Sequence, residues 1–407
     1  MIAKGFKAIL IATLVGLMSV GFAYGEQKTP WKIGVAVSLT GVFGKDGNLV
    51  KDAYKLWQET VNAQGGINGR PVELIFYDDK SDPATTAKLT EQLITNDKVD
   101  LLLGGFGSSQ LFAASPVAEK YRYPLISGGA SSNKLFERGF KYYFSTLGKA
   151  TEEVRGCVDI FSAVSPKPKT AAIIGADILF TSLACDGYKK YCKENGIKVI
   201  HFELFPMSLQ DYNSLLTKVK NKNPDLLLVG SHLLVAMKTM KALKEIDFSP
   251  KAVAFSYGPT VPKFVEDLKS DANYVIAASE WTPNMPYSGK IFGTASDFNK
   301  LYLKRFNRSP DYVEAAAAGG AVAQQQVLQE LGLKPPLKKE DRIKIMEALH
   351  KDKFETFYGK IQFGADGANE AHPPVAVQIQ SEKLENVFPL EYAEAKILYP
   401  FKPWKER

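Results

Sequence analysis

The chain has 407 residues, 45% apolar and 23% charged, with 51 Lys and Arg against 44 Asp and Glu. That length is too great for one comfortable hydrophobic core and suits two lobes. The basic excess is scattered, with no tract denser than short pieces such as Lys338-Lys339, which argues for a solvated surface and against a nucleic-acid partner.

At the N-terminus, Lys4 and Lys7 precede an uncharged apolar run over 8–22, and Ala23-Tyr24-Gly25 puts small residues where a signal peptidase reads. Residues 1–25 are therefore expected to be a signal peptide, cleaved before Glu26. As a helix, the apolar run would reach roughly 22 Å, short of the roughly 30 Å hydrocarbon core. No cysteine near the cleavage point offers a lipid anchor, and no later stretch is long and apolar enough to span a bilayer. The expectation is a soluble, monomeric mature protein in the periplasm.

After Trp31, short apolar runs at 32–38, 72–78, 100–104 and 124–127 read as strands. Helical patterns at about 48–63, 83–97 and 109–121 separate them. Asp78, Asp79 and Asp82 precede Pro83, which suits capping better than metal binding. A second series has strands at 170–175, 197–205, 225–230, 252–256 and 273–278, with helices at about 150–164, 182–195, 211–222, 233–246 and 261–269. Strands apolar on both faces, alternating with helices, predict α/β lobes with parallel sheets. Helices at 293–307, 311–331 and 339–350 follow, broken by Ser309-Pro310-Asp311. The tail from 357 reads as antiparallel strands, with a turn at Asp366-Gly367, returning the chain from one lobe to the other.

Three cysteines, Cys157, Cys185 and Cys192, leave at least one thiol unpaired. Cys185 and Cys192 would stand about 10 Å apart along a helix, too far for a disulfide. Either Cys157 pairs with one of them or all three are buried thiols.

Catalytic signatures are missing. There is no G-x-S-x-G elbow and no phosphate loop. Gly104 to Ser109 lacks the last glycine of a dinucleotide fingerprint, and His201, His232, His350 and His372 are not in zinc spacing. A binding module without metal or cofactor is expected, and an exported hydrolase built around His232 is the remote alternative.

Ligands of parallel α/β sheets sit beyond the carboxyl ends of the strands. Three first-lobe loops end there: 39–48, 105–110 (GFGSSQ) and 128–133 (GGASSN). In the last two, glycines admit close approach and paired serines offer hydroxyls beside free N–H groups, with a helix start near Ser109. That arrangement suits a carboxylate without any arginine.

The stretch 38–84, above all NAQGGINGRPVELIFYDDKSDP, closely resembles the start of the leucine/isoleucine/valine-binding family. These are the type I periplasmic solute-binding proteins of ABC transporters for hydrophobic amino acids and amides. GGFGSSQ, PLISGGASSNKLFERGFKYYFST, Phe306 to Gln326 and the tail GKIQFGADGANEAHPPVAVQIQ continue the match in order. The resemblance implies a Venus-flytrap fold, two Rossmann-like lobes joined by three hinge crossings near 148, 280 and 372. Lobe 1 would be 26–148 plus 280–371, and lobe 2 would be 149–279 plus 372–407. It also implies delivery of a small carboxylate-bearing ligand, such as a hydrophobic amino acid, to a membrane permease. The carboxylate role carries over to Ser108, Gly129 and Ser131, with Ser109 and Ala130 beside them.

Departures from the family lie at the amine end. The acid expected after a second-lobe strand is replaced by Phe255 to Pro259, His232 stands where a tyrosine is expected, and Phe180 supplies the aromatic after 170–175. Ser81 and Gly107 lie near the places of the family's cysteine pair. Asp46 or Asp177 could meet an ammonium group. Phe43, Phe106, Phe180, Tyr257 and Trp281 could line an aromatic cleft. An aromatic or other non-amino organic acid or amide is the alternative cargo, and a sensor with a separate signalling partner the alternative role.

Overall fold

The computed structural model describes residues 28–406, so the expected signal peptide and its cleavage point lie outside the described residues. Strand β1 (Trp31–Val37) leads into α1 (Gly44–Ala63). Next come β2 (Val72–Asp78), α2 (Pro83–Thr95), β3 (Leu101–Leu103), α3 (Ser108–Tyr121), β4 (Leu125–Ser127) and β5 (Tyr143–Ser145). The five strands make one parallel sheet in the order β2-β1-β3-β4-β5.

After two short helices, α4 (Ala150–Glu153) and α5 (Gly156–Asp159), the second series begins. It runs β6 (Thr170–Ala176), α6 (Leu179–Glu194), β7 (Lys198–Phe205), α7 (Tyr212–Lys220) and β8 (Leu226–Gly230). It continues with α8 (Leu233–Glu245), β9 (Ala252–Phe255), α9 (Pro262–Leu268) and β10 (Ile276–Ser279). Two-residue strands β11 (Ser288–Gly289) and β12 (Gly293–Thr294) precede α10 (Ala295–Phe306), α11 (Tyr312–Glu330) and α12 (Lys339–Lys351). Hairpins β13 (Phe354–Thr356)/β14 (Gly359–Ile361) and β15 (Val375–Gln380)/β16 (Lys383–Phe388) complete the order. The second sheet is β16-β15-β10-β9-β8-β6-β7, parallel except where β15 joins β10 and β16.

Helix α1 starts at Gly44, inside the stretch read as the loop 39–48, and two further expectations differ. The single helix read over 150–164 is broken into α4, α5 and a 3-10 turn. Gly156 marks the break: glycine costs a helix about 1 kcal/mol against alanine, and here it lets the chain pack against Val375 and Phe388. The strand read from 273 starts only at Ile276, because a 3-10 turn and Tyr274, at φ +74°, precede it. The three cysteines are free and buried, so Cys157 pairs with neither of the others.

Helix α11 is buried over almost its whole length, and its alanines and glycines let it lie close against α1 and β4. At Gly128 a Cβ would stand 2.2 Å from the backbone nitrogen of Ala317. The start of α11 is fixed by a capping box between Asp311 and Glu314, and Arg308 grips Glu314 at 2.7 and 2.8 Å. Where the chain passes between the sheets, the crossings are knitted together. Glu280 accepts the Gly148 N–H at 2.8 Å and the Tyr358 hydroxyl at 2.6 Å. His372 in turn meets the Tyr358 carbonyl through Nε2 at 2.9 Å, with the two rings stacked at 4.4 Å.

Candidate binding cleft

The carboxyl ends of the two sheets face each other. On the first, Asp78 accepts the N–H groups of Leu39 and Thr40 at 2.9 and 3.1 Å, and Asp79 accepts the Ser38 hydroxyl at 2.7 Å. These acids staple the first loop, while Asp82 caps α2 by accepting the Thr85 N–H at 2.7 Å. Helix α3 begins at Ser108, one residue before the expected start, after Gly107 at φ +100°, where a Cβ would collide with Gln110. Gln110 donates to the Ser81 carbonyl at 3.1 Å, so a hydrogen bond ties together the region where the family's cysteine pair was expected.

Ser108 Oγ accepts the N–H groups of Ser131 and Ser132 at 3.3 and 3.1 Å, and the Gly107 N–H donates to the Gly129 carbonyl at 2.9 Å. The two serine loops are thus one unit. With its oxygen occupied by two donors, the Ser108 hydroxyl keeps its own proton for a further acceptor.

The second sheet presents aromatic side chains to this unit. The His232 ring lies 5.0 Å from Phe43, 5.6 Å from Phe106, 5.2 Å from Phe180 and 5.9 Å from Tyr257. Burial pushes its pKa down to about 4, so the ring is neutral, and its Nδ1 has no hydrogen-bond partner among the described residues. Phe106 and Tyr257 meet at 5.8 Å, and the Tyr257 hydroxyl donates to Asp46 at 3.3 Å, from one sheet's loops to the other's.

Between them lies a small cavity of about 20 Å³, room for about one water molecule. It brings together Phe106, Ser108, Gly129, Ala130, Ser131, Phe180, His232 and Tyr257, eight residues expected from the sequence. Phe43 and Asp46 stand directly behind, through their contacts with His232 and Tyr257. Ser109 is half-buried and outside the lining. Asp177 is exposed, accepting from Ser182 at 3.1 Å, and lies outside the cavity lining. Trp281 is turned away: its ring packs 6.0 Å from Phe298 and 6.5 Å from Phe357, and its indole N–H donates to the Phe357 carbonyl at 3.0 Å. A place just after a strand fixed where Trp281 starts, but the aromatic core around α10 fixed where its ring goes.

Sequence reasoning missed four lining residues: Leu147, Glu153, Tyr312 and Val313. The last two follow the Ser-Pro-Asp break that opens α11, a signal that was visible. A larger groove of about 620 Å³ beside Ile160, Leu390 and Tyr399 is lined only by residues from 160–165 and 387–399, and it lacks the strand-end loops that make a binding site.

The cleft is rich in buried acid. Burial and the charge of Asp311 push Asp46 up to about 7, against the Tyr257 hydroxyl bond that lowers it. Burial raises Asp311 to about 6, although it accepts the Val313 N–H at 2.9 Å. Burial raises Glu280 to about 7, offset in part by Tyr358 and Gly148. Glu153 is 3% exposed and neither of its oxygens has a hydrogen-bond partner among the described residues. Its burial and the neighbouring Glu280 push it well up, with the nearby Ser131 hydroxyl a smaller opposing influence. Among the described residues, no Lys or Arg lines the cavity.

A sequence profile described as periplasmic binding protein matches residues 30–383. A leucine-, isoleucine-, valine-, threonine- and alanine-binding protein of Pseudomonas aeruginosa is 28% identical over 214 residues, 52% of this chain and 57% of that protein. The chain thus spans little more than half the length of that relative. Among solved structures, a branched-chain amino acid transporter substrate-binding protein from Streptococcus pneumoniae in complex with isoleucine has a TM-score of 0.76 at 22% identity, covering 91% of this chain and all of that one. A solute-binding protein of an ABC transporter from Rhodopseudomonas palustris, in complex with 3,4-dihydroxybenzoic acid, has a TM-score of 0.75 at 21% identity, covering 93% and 99%.

Proposed function

Because the chain belongs to the periplasmic binding protein family, and has that family's two-lobed type I fold, we propose that it is the extracytoplasmic substrate-binding component of an ABC importer. Its cargo is a small carboxylate-bearing molecule of the hydrophobic amino acid kind. The observation that carries this reading is the pairing of Ser108 and Ser131 on one sheet's loops with Phe180, His232 and Tyr257 on the other's, around a single cavity. A carboxylate docks on the Ser108 hydroxyl and the strand-end N–H groups, and the apolar part of the ligand lies on the rings. Closure follows because only the closed form touches ligand with both lobes.

On this reading the lobes are 26–148 with 280–371 and 149–279 with 372–407, and the knitted crossings near 148, 280 and 372 are the hinge. Residues 1–25 direct export and are removed, and the mature protein acts as a monomer that meets its permease in the periplasm without catalysing a reaction. Among the described residues no helix is long and apolar enough to cross a membrane. The aromatic wall supports a second cargo class, an aromatic acid without an amine, as found with the Rhodopseudomonas palustris protein.

The test is to unfold and refold residues 26–407, removing any bound cargo, and to follow thermal shifts with hydrophobic amino acids, amides and aromatic acids. Ligand at about a hundred times its dissociation constant adds roughly 2.7 kcal/mol of stability. A shift within the panel supports the assignment, and silence across it sinks the cargo class.

A further inference from the structure

Among the described residues, Glu153 is the one acid in the cavity wall that the protein does not itself account for. Glu280, behind it, accepts two hydrogen bonds and serves the crossings. Asp46 receives the Tyr257 hydroxyl and Asp311 caps α11. Among the described residues Glu153 has no ion pair and, apart from the weak influence of the Ser131 hydroxyl beside it, no hydrogen-bond partner, yet it is buried and lines the cavity. An unpaired carboxylate removed from water costs several kcal/mol. Such a group is retained where something outside the chain answers it.

Its position defines what that something is. The first N–H of α4, at Ala150, donates to the carbonyl of Ser131 at 2.8 Å, which ties the short helix to the serine loop. Glu153 stands one turn later, beside the Ser131 hydroxyl. The carboxylate seat and the unpaired acid are therefore neighbours on the same wall, and the rings of Phe180, His232 and Tyr257 face them.

We infer that Glu153 receives the cationic nitrogen of the ligand, so that the cavity takes a zwitterion with adjacent carboxylate and ammonium groups, not a plain organic acid. This rests on the reading of the cleft given above and deepens it. It also moves the amine partner from a second-lobe strand end, where Phe255 to Pro259 offer no acid, to the first hinge crossing. The titratable groups around Glu153 are Glu280, Tyr312 and Tyr358, none of them cationic. Burial holds the Glu153 carboxyl above its ordinary range, so a bound ammonium group favours its ionised form and affinity is expected to rise with pH.

The experiment uses refolded 26–407 and calorimetry against the hydrophobic L-amino acids and their deaminated counterparts, such as leucine beside 4-methylpentanoate. The wild type should prefer the amine-bearing partner, and titrations in buffers of different ionisation enthalpy should show proton release. In Glu153→Gln the preference should fall by about 30-fold or more. Removing a buried charge should leave the variant's melting temperature no lower, which separates lost binding from lost folding. Equal amine affinity in Glu153→Gln, binding without proton release, or a wild type that prefers the deaminated acid would each overturn the inference while the cargo-binding role stands. If neither member of any pair binds the wild type, the cargo reading itself fails and takes this inference with it.

Discussion

Ser108 accepts two backbone N–H groups on one oxygen, so the only thing it has left to offer is a proton. Ser108→Ala is expected to weaken ligand binding by about 1–3 kcal/mol, as the loss of a donor to a charged group does. Calorimetry on the refolded variant checks this, and an unchanged affinity would count against the carboxylate seat. Ser108 and Ser131 stood out in the sequence because both lie in glycine-containing loops after consecutive strands, although serines in such places also cap helices, and the structure brings the two loops together around one cavity. Glu153 was not. An acid in a helical stretch reads as a solvated face, and only the tertiary packing of α4 against Ser131 shows that it is buried. Trp281 shows the other limit: it follows β10 as expected, but its ring lies outside this cavity because its direction is set by Phe298 and Phe357.

Helix α11 carries the argument at the next scale. Its small residues let it pack on β4, and Gly128 makes the closest approach. Gly128→Ala would push a methyl into the Ala317 backbone, where neither side can rotate away, and should cost about 1–3 kcal/mol. Denaturant melts measure it. Because Tyr312 and Val313 at the head of the same helix line the cavity, binding should weaken along with stability. Elements were easier to read than contacts. The parallel strands, apolar on both faces, gave themselves away through β-branched runs between helical patterns. Gly156 hints at the break locally, but its packing against β15, far away in sequence, is not announced by the residues around it.

At the scale of the molecule, the cleft concentrates acids that folding holds above their usual range. Folding raises Asp46 from 3.8 to about 7, Glu280 from 4.5 to about 7 and Asp311 from 3.8 to about 6. A carboxyl raised on folding binds its proton more tightly in the native state. Its stabilising contribution is complete below the unfolded value and is lost as pH climbs through the folded one. Calorimetric melts of cargo-free protein should therefore show these groups lowering stability between about pH 4 and 7. A melting temperature that rises through that window would mean the acids ionise against partners. The two-lobed plan was visible from the alternation of elements, whereas this pooling of charge arises only when loops from both sheets meet.

The three thiols have a use that their burial creates. Cys157 lies on α5 and Cys185 and Cys192 on α6, which pack against each other, and burial pushes each thiol up to about 12. Cys185 Sγ sits so close to Gly175 and Gly230 that a methyl on either would stand 2.5 Å from it. A thiol-specific reagent therefore has no route in until the packing of α5 and α6 comes apart. Labelling kinetics should read that opening, and a bound ligand should slow the clock by as much as it holds this packing closed.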